Sequence, residues 1–287
     1  MKIVSDAGMD LSAEQLEGLE IYSIPLTFVL DGKTYRSGID IQPGEFYELL
    51  EATDSFPTTS QPSPGEFAEI YRRVAAEDPE ILSVHVSGGL SGTLNAAREG
   101  AELVPEAHVT LVDTKTLSAA EGWQVEAAAR AAKAGWSVEQ TLPLLDKIRE
   151  LTDAVYTLAT LKYLIHGGRI SHLTGLLASM LNIKPIIGVD KETGKYYQRG
   201  RMRTLDKAIL KIADLVAEQY KPGVAMRFQM LHGNNLKGAL LLKERLAELF
   251  DCTWLPTNSI APVFGAHTGS GLVGLIYAPM AGFPDMP

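Results

Sequence analysis

Short β-rich apolar runs alternate with amphipathic helical patterns along the whole chain, and no other feature constrains the fold as tightly. Residues 2–4, 81–86 and 109–112 are apolar runs of strand length. Helical spacing of apolar side chains follows over 93–104, and an alanine-rich helix is predicted over 119–133. Pro43 opens a helix carrying Phe46, Leu49 and Leu50 on one face, and Pro64 opens another carrying Phe67, Ile70, Tyr71 and Val74. Residues 22–30 read as one long strand, turned by Asp31-Gly32 into a hairpin with residues 33–35. This order predicts a parallel, doubly wound α/β sheet.

A second block begins with a strand over 154–159. It continues with helices over 174–181, 205–220 and 236–250, and strands over 184–189, 195–198, 224–231, 253–256 and 271–277. A chain of 287 residues suits two domains of about 150 residues each. The boundary is expected near 151–153, giving domains 1–152 and 153–287. No low-complexity linker separates them, so close packing is expected.

The net charge of −9 argues against broad binding to nucleic acid or anionic membrane. Cys252 is the single cysteine, so an intrachain disulfide and a CxxC metal site are excluded, in keeping with a reducing cytoplasm. No apolar run reaches about 18 residues, and no stable membrane anchor is expected.

Three polar segments are candidate ligand sites. Residues 58–66 offer Thr58, Thr59, Ser60 and Ser63 ahead of a helix, with Ser63, Pro64 and Glu66 spaced as a capping box. Ser63 can cap that helix while Thr59 and Ser60 stay available. Residues 87–93, Ser-Gly-Gly-Leu-Ser-Gly-Thr, join a strand to a helix, where an open α/β sheet binds its ligands. Glycines there let the backbone approach an anion, and Ser91 and Thr93 add hydroxyls. Residues 265–271 place His267 in a glycine-rich loop before the last strand. Together these suit a small anion held by neutral donors.

Neither GxxxxGK[ST] nor GxGxxG after a strand is present, and the histidines lack a compact metal-ligand spacing. No cofactor or metal is therefore expected. Ser91 and His267 could form the nucleophile and base of an esterase, but the segment 89–93 misses GxSxG at its last position. A sensor for another small anion is a further alternative.

The same loops, taken in order, resemble the DegV family, whose members include the fatty-acid-binding subunits of bacterial fatty acid kinase. The matching segments are Lys2-Ile3-Val4-Ser5-Asp6 with Asp10-Leu11, Thr59-Ser60-Gln61-Pro62-Ser63, Leu90-Ser91-Gly92-Thr93, Gly167-Gly168-Arg169-Ile170-Ser171, Leu181-Asn182-Ile183-Lys184-Pro185-Ile186 and Gly265-Ala266-His267-Thr268-Gly269. Ser270 stands where the family usually has proline, His166 where lysine is common, and Ala7-Gly8 depart from the usual first motif.

The resemblance implies an N-terminal α/β/α domain, a C-terminal α/β domain and a long-chain fatty acid between them. It implies that Thr59 and Ser91 hydrogen-bond the carboxylate, that His267 lies beside the head group, and that Arg203 serves docking to the partner kinase. No catalytic residue is implied, because a separate ATP-dependent subunit would form the acyl phosphate. The Gly92 and Thr93 amides can join the hydroxyls, satisfying a carboxylate without a fixed countercharge. Tunnel candidates are residues 173–181 and 186–189. Alternation puts Arg199, Arg201 and Arg203 on one side of an extended segment, a basic patch suited to an acidic partner or a phosphate.

Overall fold

A computed structural model describes residues 1–173 and 183–287. Its first half is built on a four-stranded parallel sheet in the order β2-β1-β6-β7. These strands are β1 (Lys2–Asp6), β2 (Ile21–Ile24), β6 (Glu80–His85) and β7 (His108–Asp113). Successive residues of a strand face opposite sides, and both sides of this sheet are covered. Val4 and Ile81 pack among Phe67, Tyr71 and Val74 of α3 (Pro64–Ala75) and Ala96 and Ala97 of α4 (Thr93–Glu102). Ile3 and Leu82 face the opposite layer, α5 (Ser118–Lys133) and α6 (Val138–Leu151).

The expected single strand over 22–30 is two strands. Pro25 offers no amide to a ladder, and the chain leaves the parallel sheet there. It re-forms as β3 (Thr27–Leu30), which pairs with β4 (Lys33–Arg36) and β5 (Thr58–Ser60) in a separate small sheet. The turn between β3 and β4 is as expected, with Asp31 at φ 50° and Gly32 at φ 76°. Phe28 of β3 packs with Phe46 and Tyr47 of α2 (Pro43–Ala52).

The second half carries a mixed, largely antiparallel sheet in the order β10-β9-β8-β14-β11-β12, with β13 also on β11. Its strands are β8 (Asp153–Thr157), β9 (Lys184–Val189), β10 (Tyr196–Met202), β11 (Ala225–His232), β12 (Asp251–Trp254), β13 (Asn258–Ser259) and β14 (Val273–Pro279). One face packs on α8 (Leu205–Gln219) and α9 (Leu236–Leu249) through Ile186, Ile209, Phe228, Leu242 and Tyr277. The other face, with Tyr156, Ile187, Leu231 and Ile276, joins the same core as Trp123 and Ile3.

Helix α5 therefore has a sheet on each side. Its alanines, buried from Ala119 to Ala131, let both layers approach closely. Polar groups at this contact form a continuous chain. Trp123 Nε1 donates to Gln229 Oε1 at 2.6 Å, Gln229 Nε2 to Gln15 Oε1 at 3.0 Å, and Gln15 Nε2 to Glu126 Oε2 at 3.1 Å. Each is buried, and pairing removes the penalty of burial.

Residues 265–271 do not form a loop throughout. Pro262 at the first helical position starts α10 (Pro262–Thr268), and Gly269, at φ 71°, ends it. Helix α7 (Lys162–His166) and a short 3-10 turn, Arg169–Leu173, lie alongside. The expected helix over 174–181 and most of the tunnel stretch fall outside the described residues.

Candidate functional site

Thr59 is aimed by strand parity. In β5 the neighbours Thr58 and Ser60 are exposed, whereas Thr59 turns inward opposite Phe28. Its Oγ1 lies 2.8 Å from His267 Nε2, near the end of α10. Ser91 is aimed by the turn before α4, where its amide and that of Leu90 both bond the Ser87 carbonyl at 3.0 Å. Ser91 Oγ pairs with Thr93 Oγ1 at 2.8 Å.

Thr59, Ser91 and His267 line one cavity of about 60 Å3, room for a head group rather than a chain. Leu26, Val86, Leu90, Leu117 and Val263 form its apolar wall, and Arg169 and Tyr196 join it from the second half of the chain. A second, inner crevice shares Leu117, Tyr196, Phe264 and Thr268 with it and continues inward along Ile187, Ile260 and Leu272. Of the expected strand candidates, Ile187 lines this crevice and Ile186 packs on the opposite face against α8.

Gly92 and Thr93 do not line the cavity. The Thr93 amide already donates to Ser91 Oγ at 3.3 Å. Gly92 lies under Gln61, whose Oε1 would be 2.0 Å from a Cβ at that position. The glycines of this loop serve packing rather than anion approach. The turn between β9 and β10 lies against it, so a Cβ on Gly89 would meet the Thr193 carbonyl oxygen at 2.6 Å, and Ser87 Oγ donates to Gly194 O at 2.9 Å. This leaves hydroxyls as the polar face of the loop.

A fixed cation is present, contrary to expectation. Arg169 is held by its own turn, Nη1 donating to Gly167 O at 2.8 Å, and it lines the cavity. Burial and then the Arg169 charge push the His267 imidazole down to about 4, so it is neutral at pH 7. Its Nδ1 makes no hydrogen bond and packs on Gly167, where a Cβ would stand only 2.1 Å away. The arrangement lacks the features of a triad: Ser91 pairs with Thr93, His267 pairs with Thr59, and no carboxylate orients the imidazole.

The arginine run is divided by a β-bulge. Pairing shifts between Gln198 and Gly200, and the extra residue, Arg199, lies over Gly188 and donates to Tyr277 Oη at 2.9 Å. A bulge changes strand parity. Arg201, opposite Pro185, therefore belongs to the other face of the sheet, the face of Tyr196 and the cavity. Arg203 is exposed just ahead of α8, whose N-cap Thr204 accepts from the Lys207 amide.

Sequence reasoning gave no role to three acids beside the inner crevice, of which Asp6 and Glu121 are fully buried. Asp6 Oδ2 is 3.1 Å from His85 Nδ1 and accepts from the Val86 amide at 3.0 Å. Burial pushes Asp10 up to about 7, although Ser118 Oγ donates to its carboxylate and the Ala261 amide does so at 2.9 Å. Glu121, enclosed among them, is raised well above the usual carboxylate range by burial and by the Asp6 and Asp10 charges. Asp6 and Asp10 stood in the first matching segment without a role, and nothing local in the sequence brings Glu121 to them.

Comparison with known proteins extends across nearly the whole chain. A family model described as "Uncharacterised protein, DegV family COG1307" matches residues 1–280. A DegV domain-containing protein of Listeria monocytogenes is 32% identical over 278 residues, 96% of this chain and 97% of that one. Among solved structures, a fatty-acid-binding DegV family protein from Thermus thermophilus superposes with a TM-score of 0.86 at 30% identity, covering 97% of this chain and 99% of that one. A stearic acid-binding protein from Eubacterium ventriosum gives a TM-score of 0.82 at 26% identity, covering 97% and 98%.

Proposed function

This chain belongs to the DegV family, and on that premise we propose that it binds a long-chain fatty acid and presents the carboxylate to a separate ATP-dependent kinase, catalysing no reaction itself. The observation that carries the reading is the convergence of Thr59, Ser91, His267 and Arg169 on a head-group cavity that continues into an apolar crevice. Thr59 and Ser91 donate to the carboxylate, and Arg169 supplies the opposing charge. With its proton on Nε2, the neutral His267 donates to Thr59 and leaves the threonine proton free for the ligand. This tautomer leaves only an acceptor unpaired at Nδ1. The acyl chain supplies most of the affinity, at about 0.8 kcal/mol per buried CH₂.

Transfer is assigned to Arg203 and Arg201. Both are exposed, and Arg201 lies on the cavity side of its sheet, so they suit an acidic partner or an incoming phosphate. Among the described residues no helix is long and apolar enough to cross a membrane.

Native mass spectrometry of the purified protein tests ligand class. A co-purified long-chain fatty acid is expected, and a protein that neither retains nor takes up one would end the carrier reading. Acyl-phosphate formation with a cognate kinase and ATP tests the presentation step separately.

A further inference from the structure

The inner crevice carries one group that a plain alkyl chain cannot use. Tyr156, on β8, is 3% exposed, and its hydroxyl makes no hydrogen bond. The ring is seated by Gly274 on the adjacent strand, where a Cβ would meet Tyr156 Cδ1 at 2.6 Å, and the residue lines the crevice. Ser118 is beside the hydroxyl but outside hydrogen-bonding geometry, with its own proton turned to Asp10. Of the other lining hydroxyls, Thr268 donates to the Phe264 carbonyl at 3.1 Å, and Tyr196 lies near enough to act on Tyr156 without a hydrogen bond to it. The remaining walls include Leu117, Ile187, Ile260, Phe264 and Leu272.

A phenylalanine at 156 would fill the same space without burying an unpaired polar group, an arrangement that costs stability. The crevice measures about 10 Å3, at the lower edge of what holds a single water. The hydroxyl therefore has no solvent pool beside it, only Ser118 and Tyr196 among the polar lining residues near it, and a ligand chain that widens the crevice uncovers it.

Resting on the fatty-acid reading above, we propose that this crevice is a subsite for an oxygen carried part-way along the acyl chain, so that hydroxy and oxo fatty acids are preferred ligands. Tyr156 donates to that oxygen. The head-group cavity fixes the carboxylate, and the distance to Tyr156 then selects one position along the chain. Saturated acids also bind, leaving the hydroxyl unpaired.

The test is displacement of a fluorescent fatty acid by stearate and by monohydroxystearates substituted at successive carbons. In the wild type, one position should bind roughly five- to tenfold more tightly than its neighbours, the scale of one buried hydrogen bond. Tyr156→Phe should flatten that profile and not lower the melting temperature. A flat wild-type profile, readable without any variant, would overturn the subsite. So would a peaked profile that survives in Tyr156→Phe. If stearate itself fails to displace the probe, the carrier reading falls first and takes this inference with it.

Discussion

His267 Nε2 and Thr59 Oγ1 meet at 2.8 Å across 208 positions of sequence. This hydrogen bond, with the packing of Ala266 on Phe28, joins the small sheet of the N-terminal half to a helix near the C-terminus, and both residues line the cavity that Ser91 and Arg169 complete.

Removing either hydroxyl should weaken ligand binding without unfolding the protein. Thr59→Val keeps the branched shape that suits a strand, and Ser91→Ala keeps the turn. Each deletes a hydrogen bond to a charged group, about 1.5 to 3 kcal/mol or roughly 10- to 150-fold in affinity. Titration with a long-chain fatty acid checks this, and unchanged affinity in both variants would remove them from the head-group site.

Gly167→Ala should act through His267. Gly167 has a negative φ, so the backbone tolerates alanine, but the new Cβ would stand 2.1 Å from His267 Nδ1. The imidazole must shift off Gly167, which disturbs its placement against Thr59. Fatty-acid affinity should fall about tenfold, with a stability loss in the 1 to 3 kcal/mol range of overpacking. A variant whose affinity equals wild type would mean that the imidazole position is immaterial.

Two groups give stability opposite slopes against pH. The Asp10 carboxyl, raised from 3.8 to about 7, holds a proton in the folded state that the unfolded chain has released, so its contribution falls as pH rises from about 4 to 7. The His267 imidazole, lowered from 6.5 to about 4, is neutral in the folded state while the unfolded chain is protonated, so its contribution rises from about 4 to 6.5. Each slope is at most about 1.4 kcal/mol per pH unit. Asp10→Asn should therefore tilt the profile upward with pH, and His267→Asn should tilt it downward. Urea melts at several pH values between 4 and 7 read this out; a parallel offset with no change of slope would contradict the assignment.

Arg203→Ala should separate holding from handing over. The side chain is exposed and outside the cavity lining, so lipid occupancy should stay at the wild-type level. Acyl-phosphate formation with a cognate kinase should slow, and added salt should narrow the difference because exposed charges are screened over about 8 Å at 0.15 M. An emptied pocket, or an unchanged rate, would each remove Arg203 from a docking role.

Local signals in the sequence gave the elements where one residue's own chemistry decides. Asp31-Gly32 accepts positive φ and made the hairpin. Ser63 and Glu66 cap α3 reciprocally. Thr59, Ser91 and His267 were found from hydroxyl and glycine density, and the fold unites them. The failures came where a distant segment decides. Gly89 and Gly92 were read as open to an anion, yet the β9–β10 turn and Gln61 fill those spaces. The bulge at Arg199 follows from pairing with β9, which strand alternation alone does not encode. Arg169 sat in a quoted motif, but only tertiary packing shows that it reaches the cavity.

A helix with a sheet on either side also governs how the molecule comes apart. Every residue from Ser118 to Ala129 on α5 is buried, some against the parallel sheet and some against the mixed one. Melting one sheet strips apolar cover from the other, and the Trp123–Gln229–Gln15–Glu126 chain breaks in the same event. Heating should therefore produce one calorimetric peak whose van't Hoff and calorimetric enthalpies agree. A chain severed near residue 152 should give two fragments that are each insoluble alone and regain structure only when mixed.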